Sequence, residues 1–261
     1  MRTLVFLMAW LGLAAGAWAG SLGSAVEVRI VSDTGCELPL YPVEGHQVSK
    51  AYAEATKGDQ YSVVVRNRLS RRVGIVVAVD GRNIITGKKS WLKSDERMYI
   101  LEPYARGEFK GWRTGADRIN RFYFTSAADS YAVAFNDASA LGVIAVAVYP
   151  EVQRYEPPVE MYRDRDAPAS APKSGMNLMG RANEKSMKKS AGTGYGREEY
   201  SPVREVFFDR ESVASEKIYL KYEWRETLCS KGIVGCGNPR LSHRNRIWDD
   251  DGWAAPPPGR D

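Results

Sequence analysis

Histidine is almost absent from this 261-residue chain: His46 and His243 are the only two, and they lie far apart. Serine-histidine-acid catalysis needs a histidine within reach of a nucleophile. Both histidines sit in polar surroundings rich in proline or arginine, and no G-x-S-x-G elbow is present. Cysteine is nearly as scarce, with Cys36, Cys229 and Cys236 making three in all. Their spacing fits no zinc knuckle, so no metal is expected. Carboxylates at Glu198 and Glu199 are neighbours in an extended segment and point opposite ways, which disfavours paired acid/base work. Asp249, Asp250, Asp251 and Gly252 lack the alternate ligands and distant glutamate of a calcium loop. No repeat, no catalytic constellation and no cofactor motif emerges. The reading is of a protein that is not an enzyme and needs no cofactor.

Long apolar runs are also missing, except at the start. Arg2, an apolar run from Leu4 to Leu13, and Ala17-Trp18-Ala19 make a signal-peptide pattern over residues 1–19, with cleavage before Gly20. The run is short for a membrane span, and no second one follows, so no transmembrane span is expected after cleavage. Taking Arg2 from 37 basic residues, against 32 acidic ones, leaves a net charge of +4. That is mild for the size. Nucleic acid is not an expected partner, since its binders concentrate a basic face. Weak contact with an anionic envelope polymer suits the charge. A periplasmic or secreted location would favour a local disulfide between Cys229 and Cys236. Cys36 is then a buried free thiol, or it pairs with one of the other two.

Strand patterns fill the middle. VEVRIV at 26–31 alternates, and ELPLYPV reads as an edge because proline cannot donate to a ladder. The organising stretch is 61–87, YSVVVRNRLSRRVGIVVAVDGRNIITG. The 61–65 run and the 73–79 run are joined by a basic turn read as a solvated hairpin tip. Asp80-Gly81 then supplies the positive φ of a tight turn. The runs 73–79 and 143–148 are apolar on both faces and are expected as central strands covered above and below. Further strands are expected at 98–101, 108–112 and 118–125. Strands at this spacing indicate an antiparallel β-sandwich, mainly β in class, over 20–151.

Residues 152–192 are rich in charge and proline and poor in bulky apolar groups. They read as a partly disordered linker or surface excursion. VREVFF at 203–208 and IYLKY at 218–222 alternate again and suggest a hairpin over 193–228, packing on the sandwich. A cysteine loop and a disordered tail complete the chain over 229–261. Gly192-Thr193-Gly194-Tyr195-Gly196 lacks the strand before and helix after it that a phosphate loop requires, and reads as a flexible turn.

The aromatics leave two functional readings open. Trp91, Trp112 and Arg113 are candidate ligand-binding residues, because exposed rings beside cations stack on sugars. Large aromatics also cap sandwich cores, and that is the favoured reading of these rings. The preferred function is a non-enzymatic binding or assembly module of the bacterial envelope, its partner an envelope protein or cell-wall polymer. Glycan or peptidoglycan-fragment binding through surface aromatics is the alternative. An enzyme of unrecognised type comes last.

NRLSRRVGIVVAVDGRNIITG at 67–87, GWR at 111–113, DSYA at 129–132, GVIAVAVYPE at 142–151 and GTGYGREEYSPV at 192–203 resemble a family of uncharacterised exported bacterial proteins. That family shares V-D-G-x-N, G-W-R, G-V-I-x-V-A-V and G-T-G-x-G segments. No activity is established for it, so the resemblance implies no catalytic residue. It implies that the first domain and the GTGYG segment form one structural unit.

Overall fold

The computed structural model describes residues 22–43, 48–153 and 190–236. The leader at 1–19, most of the 152–192 excursion, both histidines and the acidic tail lie outside the described residues.

Two seven-stranded sheets pack face to face, so the protein is a mainly β sandwich. In the first sheet β1 (Val26–Ser32) pairs with β4 (Gln60–Asn67), which pairs with β10 (Arg118–Ser126), which pairs with β12 (Ala191–Thr193). Short strands extend it: β8 (Arg106–Phe109) on β4, and β9 (Gly111–Arg113) and β13 (Glu198–Tyr200) on β10. The second sheet runs β2 (Leu40–Pro42), β3 (Ser49–Ala55), β14 (Glu216–Trp224), β11 (Val143–Pro150), β5 (Val73–Val79) and β6 (Arg82–Asn83), with β7 (Tyr99–Leu101) also on β5. The proline-bearing β2 is indeed an edge.

The core follows from alternation. Val26, Val28, Ile30, Val63, Val65, Phe122 and Phe124 of one sheet meet Ile75, Val77, Val79, Ile144, Val146, Ile218 and Leu220 of the other. Burying a Val, Ile or Phe side chain stabilises by roughly 1.5–3 kcal/mol, so this layer dominates the stability. The outward residues of β5 and β11, including Val76, Ala78, Ala145, Ala147 and Tyr149, are buried too. The 88–98 loop covers them with Leu92 and Met98, and the Tyr149 hydroxyl donates to the Leu92 carbonyl at 2.5 Å. Both valine runs are therefore central strands shielded on two sides, as their composition requires.

Three expectations are corrected. The runs 61–65 and 73–79 are not partners in a hairpin: β4 belongs to the first sheet and β5 to the second, so the chain arches between layers. Buried Asn67 ties this arch, donating to the Arg71 and Glu102 carbonyls at 2.8 and 3.0 Å while its Oδ1 accepts from the Leu69 N–H. The arch is no free solvated tip either, because Arg71 pairs with Glu211 and Arg72 with Glu151. Second, residues 203–208 form no strand. In place of the expected hairpin, β14 enters the centre of the second sheet, antiparallel to β11 and parallel to β3. Parallel partners need a long connection, and here most of the chain lies between them. Third, the 108–112 segment divides at Lys110 into β8 and β9, which serve different neighbours.

Candidate functional site

The turn after β5 does more than reverse the chain. Asp80 (φ 50°) and Gly81 (φ 78°) adopt the left-handed conformation of a tight turn, and the Asp80 carboxylate is completely buried. Its Oδ1 accepts from the Gly142 N–H at 2.8 Å and from the Tyr222 hydroxyl at 2.5 Å. Its Oδ2 accepts from the Thr193 N–H at 2.7 Å. The Thr193 hydroxyl lies 2.6 Å from that of Tyr222 and 2.7 Å from that of Tyr61. One carboxylate thus joins β5, the start of β11, β12 and β14, and reaches β4 through Thr193. Burial pushes the Asp80 carboxyl up to about 6, against the three donors that favour its charged form. Burial also raises the Tyr61 and Tyr222 phenols well above their ordinary value. The cluster is sealed from solvent, so it holds the sandwich together and offers no surface for a substrate.

The GTGYG segment is part of this construction rather than a flexible turn. Residues 191–193 are β12 and buried. Gly194 lies flat on Tyr123, where a Cβ would strike the ring, and its carbonyl accepts from the Trp112 indole N–H at 3.0 Å. Trp112, 2 % exposed, packs edge-on to Phe122 at 5.2 Å. It is a core residue, and the reading of Trp112 as a ligand-binding ring is corrected. Its β9 position turns it inward to fill the end of the sandwich. Arg113 is half-buried and fully engaged, donating to the Tyr99 hydroxyl at 2.7 Å and to the Ser201 carbonyl at 2.8 Å. Trp91 is the one candidate ring that faces solvent, 65 % exposed. The three residues do not form one site.

The surface feature that sequence reasoning missed is the segment after β13. Residues 201–209 form no regular element and cross the sandwich flank, with 202–207 exposed. The Ser201 and Val203 N–H groups donate to the Asp117 and Ala116 carbonyls at 2.7 and 2.8 Å. At the other end the Asp209 carbonyl accepts from the Val152 N–H, and the Glu211 N–H donates to the Pro150 carbonyl. Between these anchors, no backbone group from 204 to 208 pairs with another backbone group among the described residues. Phe207 is 85 % exposed, and Tyr200, Val203, Val206 and Val213 are exposed as well. Beneath this segment lies an open groove of about 880 Å³ with Met98, Ile100 and Phe208 on its apolar side and Arg204, Arg210, Glu102 and the Arg97–Glu205 ion pair around it. The signal was present in VREVFF as strand propensity, but propensity does not say whether a partner strand exists.

Cys229 and Cys236 form a disulfide at the end of α2 (Arg225–Ser230), with Cα atoms 4.9 Å apart, and Cys36 is free but exposed, which corrects the expectation of a buried thiol. Among the described residues no cluster of three or more metal-type ligands occurs, and no helix is long and apolar enough to cross a membrane. Comparison with protein-family models, curated proteins and solved structures finds no match for the chain.

Proposed function

We propose that this protein is an exported, non-enzymatic binding module of the bacterial envelope that docks an extended segment of a partner protein along residues 203–208. The observation that carries the reading is a strand-prone segment, pinned at both ends, with its central backbone unpaired among the described residues and Phe207 and Val206 exposed. An unpaired extended backbone is a template for another strand, and strand addition draws affinity from main-chain hydrogen bonds and specificity from alternate side chains. Concentrated exposed apolar residues mark interaction surfaces. The leader pattern and the disulfide support export to an oxidising compartment.

A photo-reactive phenylalanine analogue in place of Phe207, in cells making the protein, tests this. A discrete cross-linked adduct is expected at 207 and not at exposed Lys57 in a distant turn. Absence of an adduct at 207, or the same adducts from both positions, refutes strand docking.

A further inference from the structure

A second surface lies at the rim where the β5–β6 turn, the 88–96 loop and the GTGYG segment meet. The loop is built to hold Trp91 outside. The Glu96 carboxylate accepts from the Trp91 and Lys93 N–H groups at 2.8 and 3.0 Å, from the Ser90 hydroxyl at 2.7 Å and from the Asn83 amide at 3.2 Å. Leu92 adopts φ 54°, a conformation unfavourable for leucine. That twist sends Leu92 into the layer over β11 and leaves the indole in solvent. Rigid, strained loops that expose a large ring are more usual at binding sites than at neutral surface.

Two further rings share the rim. Phe135 follows α1 (Tyr131–Ala134) and is 54 % exposed, and Tyr195 is 47 % exposed. Tyr131 joins them, stacked on Tyr195 at 5.4 Å and edge-on to Phe135 at 4.9 Å. The Arg82 guanidinium lies 4.4 Å over Phe135. Arg82 is nine-tenths buried, yet its Nε has no hydrogen-bond partner. Lys89, bridged to Arg82 through the backbone, places its Nζ 5.2 Å from the Trp91 ring and 3.8 Å from Asp137. Trp91 and the Phe135–Asp137 corner are therefore neighbours, although more than forty residues separate them in sequence.

We propose that this rim binds a carbohydrate chain, with Trp91 and Tyr195 stacking on sugar rings and Lys89 donating to the oxygens between them. The chemistry favours sugars over other ligands. Tyr195 is held by Tyr131 stacked against it and is about half exposed. Polar groups interrupt the aromatic surface, which suits a pyranose with its C–H face and hydroxyl perimeter better than a continuous lipid chain. Exposed Lys88, Lys93 and Arg197 lie on the same segments, so single-stranded DNA is set against the sugars in the test.

Titration of the leaderless full chain with a neutral N-acetylhexosamine hexamer and with an anionic uronate hexamer, followed by tryptophan fluorescence and calorimetry, is the test. One of the two should bind saturably. Trp91→Ala should weaken that binding by about tenfold or more, and Tyr195→Ala should weaken it as well. Trp91→Phe should retain it within about threefold, and Phe207→Ser in the 203–208 segment should leave it unchanged. No saturable binding of either oligosaccharide up to about 10 mM, or binding indifferent to Trp91→Ala, overturns the proposal. Trp91-dependent binding of anionic vesicles or single-stranded DNA in place of both sugars overturns it too. Because Phe207 takes no part, failure here leaves strand docking standing, and the reverse holds.

Discussion

Replacing Asp80 by asparagine keeps the shape of the buried turn and removes its titration. In the wild type the folded-state carboxyl sits at about 6 against an ordinary 3.8. A group whose value is raised on folding stabilises the native state while it is protonated. That contribution is complete below pH 3.8 and is lost as pH rises toward 6. The loss amounts to about 3 kcal/mol at 1.36 kcal/mol per unit. The asparagine Nδ2, in the place of Oδ2, cannot accept from the Thr193 N–H, and that orphaned donor costs about 1–3 kcal/mol at every pH. At about pH 3.5 the wild type should therefore be the more stable protein. At about pH 7 the two should be level, or the variant ahead, because the ionised buried carboxylate offsets the missing bond. Glu96 and Asp137 are held below the ordinary carboxylate range by hydrogen bonds that outweigh burial, and they slope the other way in both proteins, so they cancel in the difference. Urea unfolding at several pH values between these limits gives the difference directly. A wild-type-minus-variant stability constant to within about 0.5 kcal/mol across that range would refute the reasoning.

Two other perturbations test the framework. At Gly111 a methyl would run into the Asn120 carbonyl of the paired strand, backbone that β10 cannot yield; Gly111→Ala should cost about 3 kcal/mol or more, and a melting temperature unchanged to about 2 °C would contradict that packing. Removing both Cys229 and Cys236 as serines opens a short loop worth about 2.5 kcal/mol in the chain-entropy picture; the same loss should follow from adding reductant to the wild type, and insensitivity to reductant would deny the bridge.

The doubly buried strands were legible because Val, Ile and Ala on both faces of a run leave no solvent side. The Asp80-Gly81 turn was legible because it is local, and so was the Cys229–Cys236 pairing. What escaped was choice of partner. The basic link between β4 and β5 looks the same whether it closes a hairpin or arches between sheets; the difference lies in β1 and β11, which are distant in sequence. The alternation at 203–208 reads as a strand because the residues favour one, and only the fold reveals that β14 has been taken by β3 and β11. Asp80 passed for a turn residue because its carboxylate partners, at 142, 193 and 222, lie far along the chain. Trp112 stood between a core cap, the favoured reading, and a ligand-binding ring, because a three-residue strand has too little pattern to show its inward face. Trp91 faces solvent, but Phe135 and Tyr195, the other exposed rings of the rim, come from separate loops that no local pattern joins.

Amide hydrogen exchange across residues 203–208 measures the central claim most directly, first on the free protein and then on the complex with the partner recovered by cross-linking at position 207. In the free protein the amides of residues 204–208 should exchange without protection, and Phe207→Ser should change stability by no more than about 0.5 kcal/mol. In the complex, alternate amides of this segment should become protected, the signature of a ladder on one edge. Protection already present in the free protein, or none gained in the complex, would contradict the account.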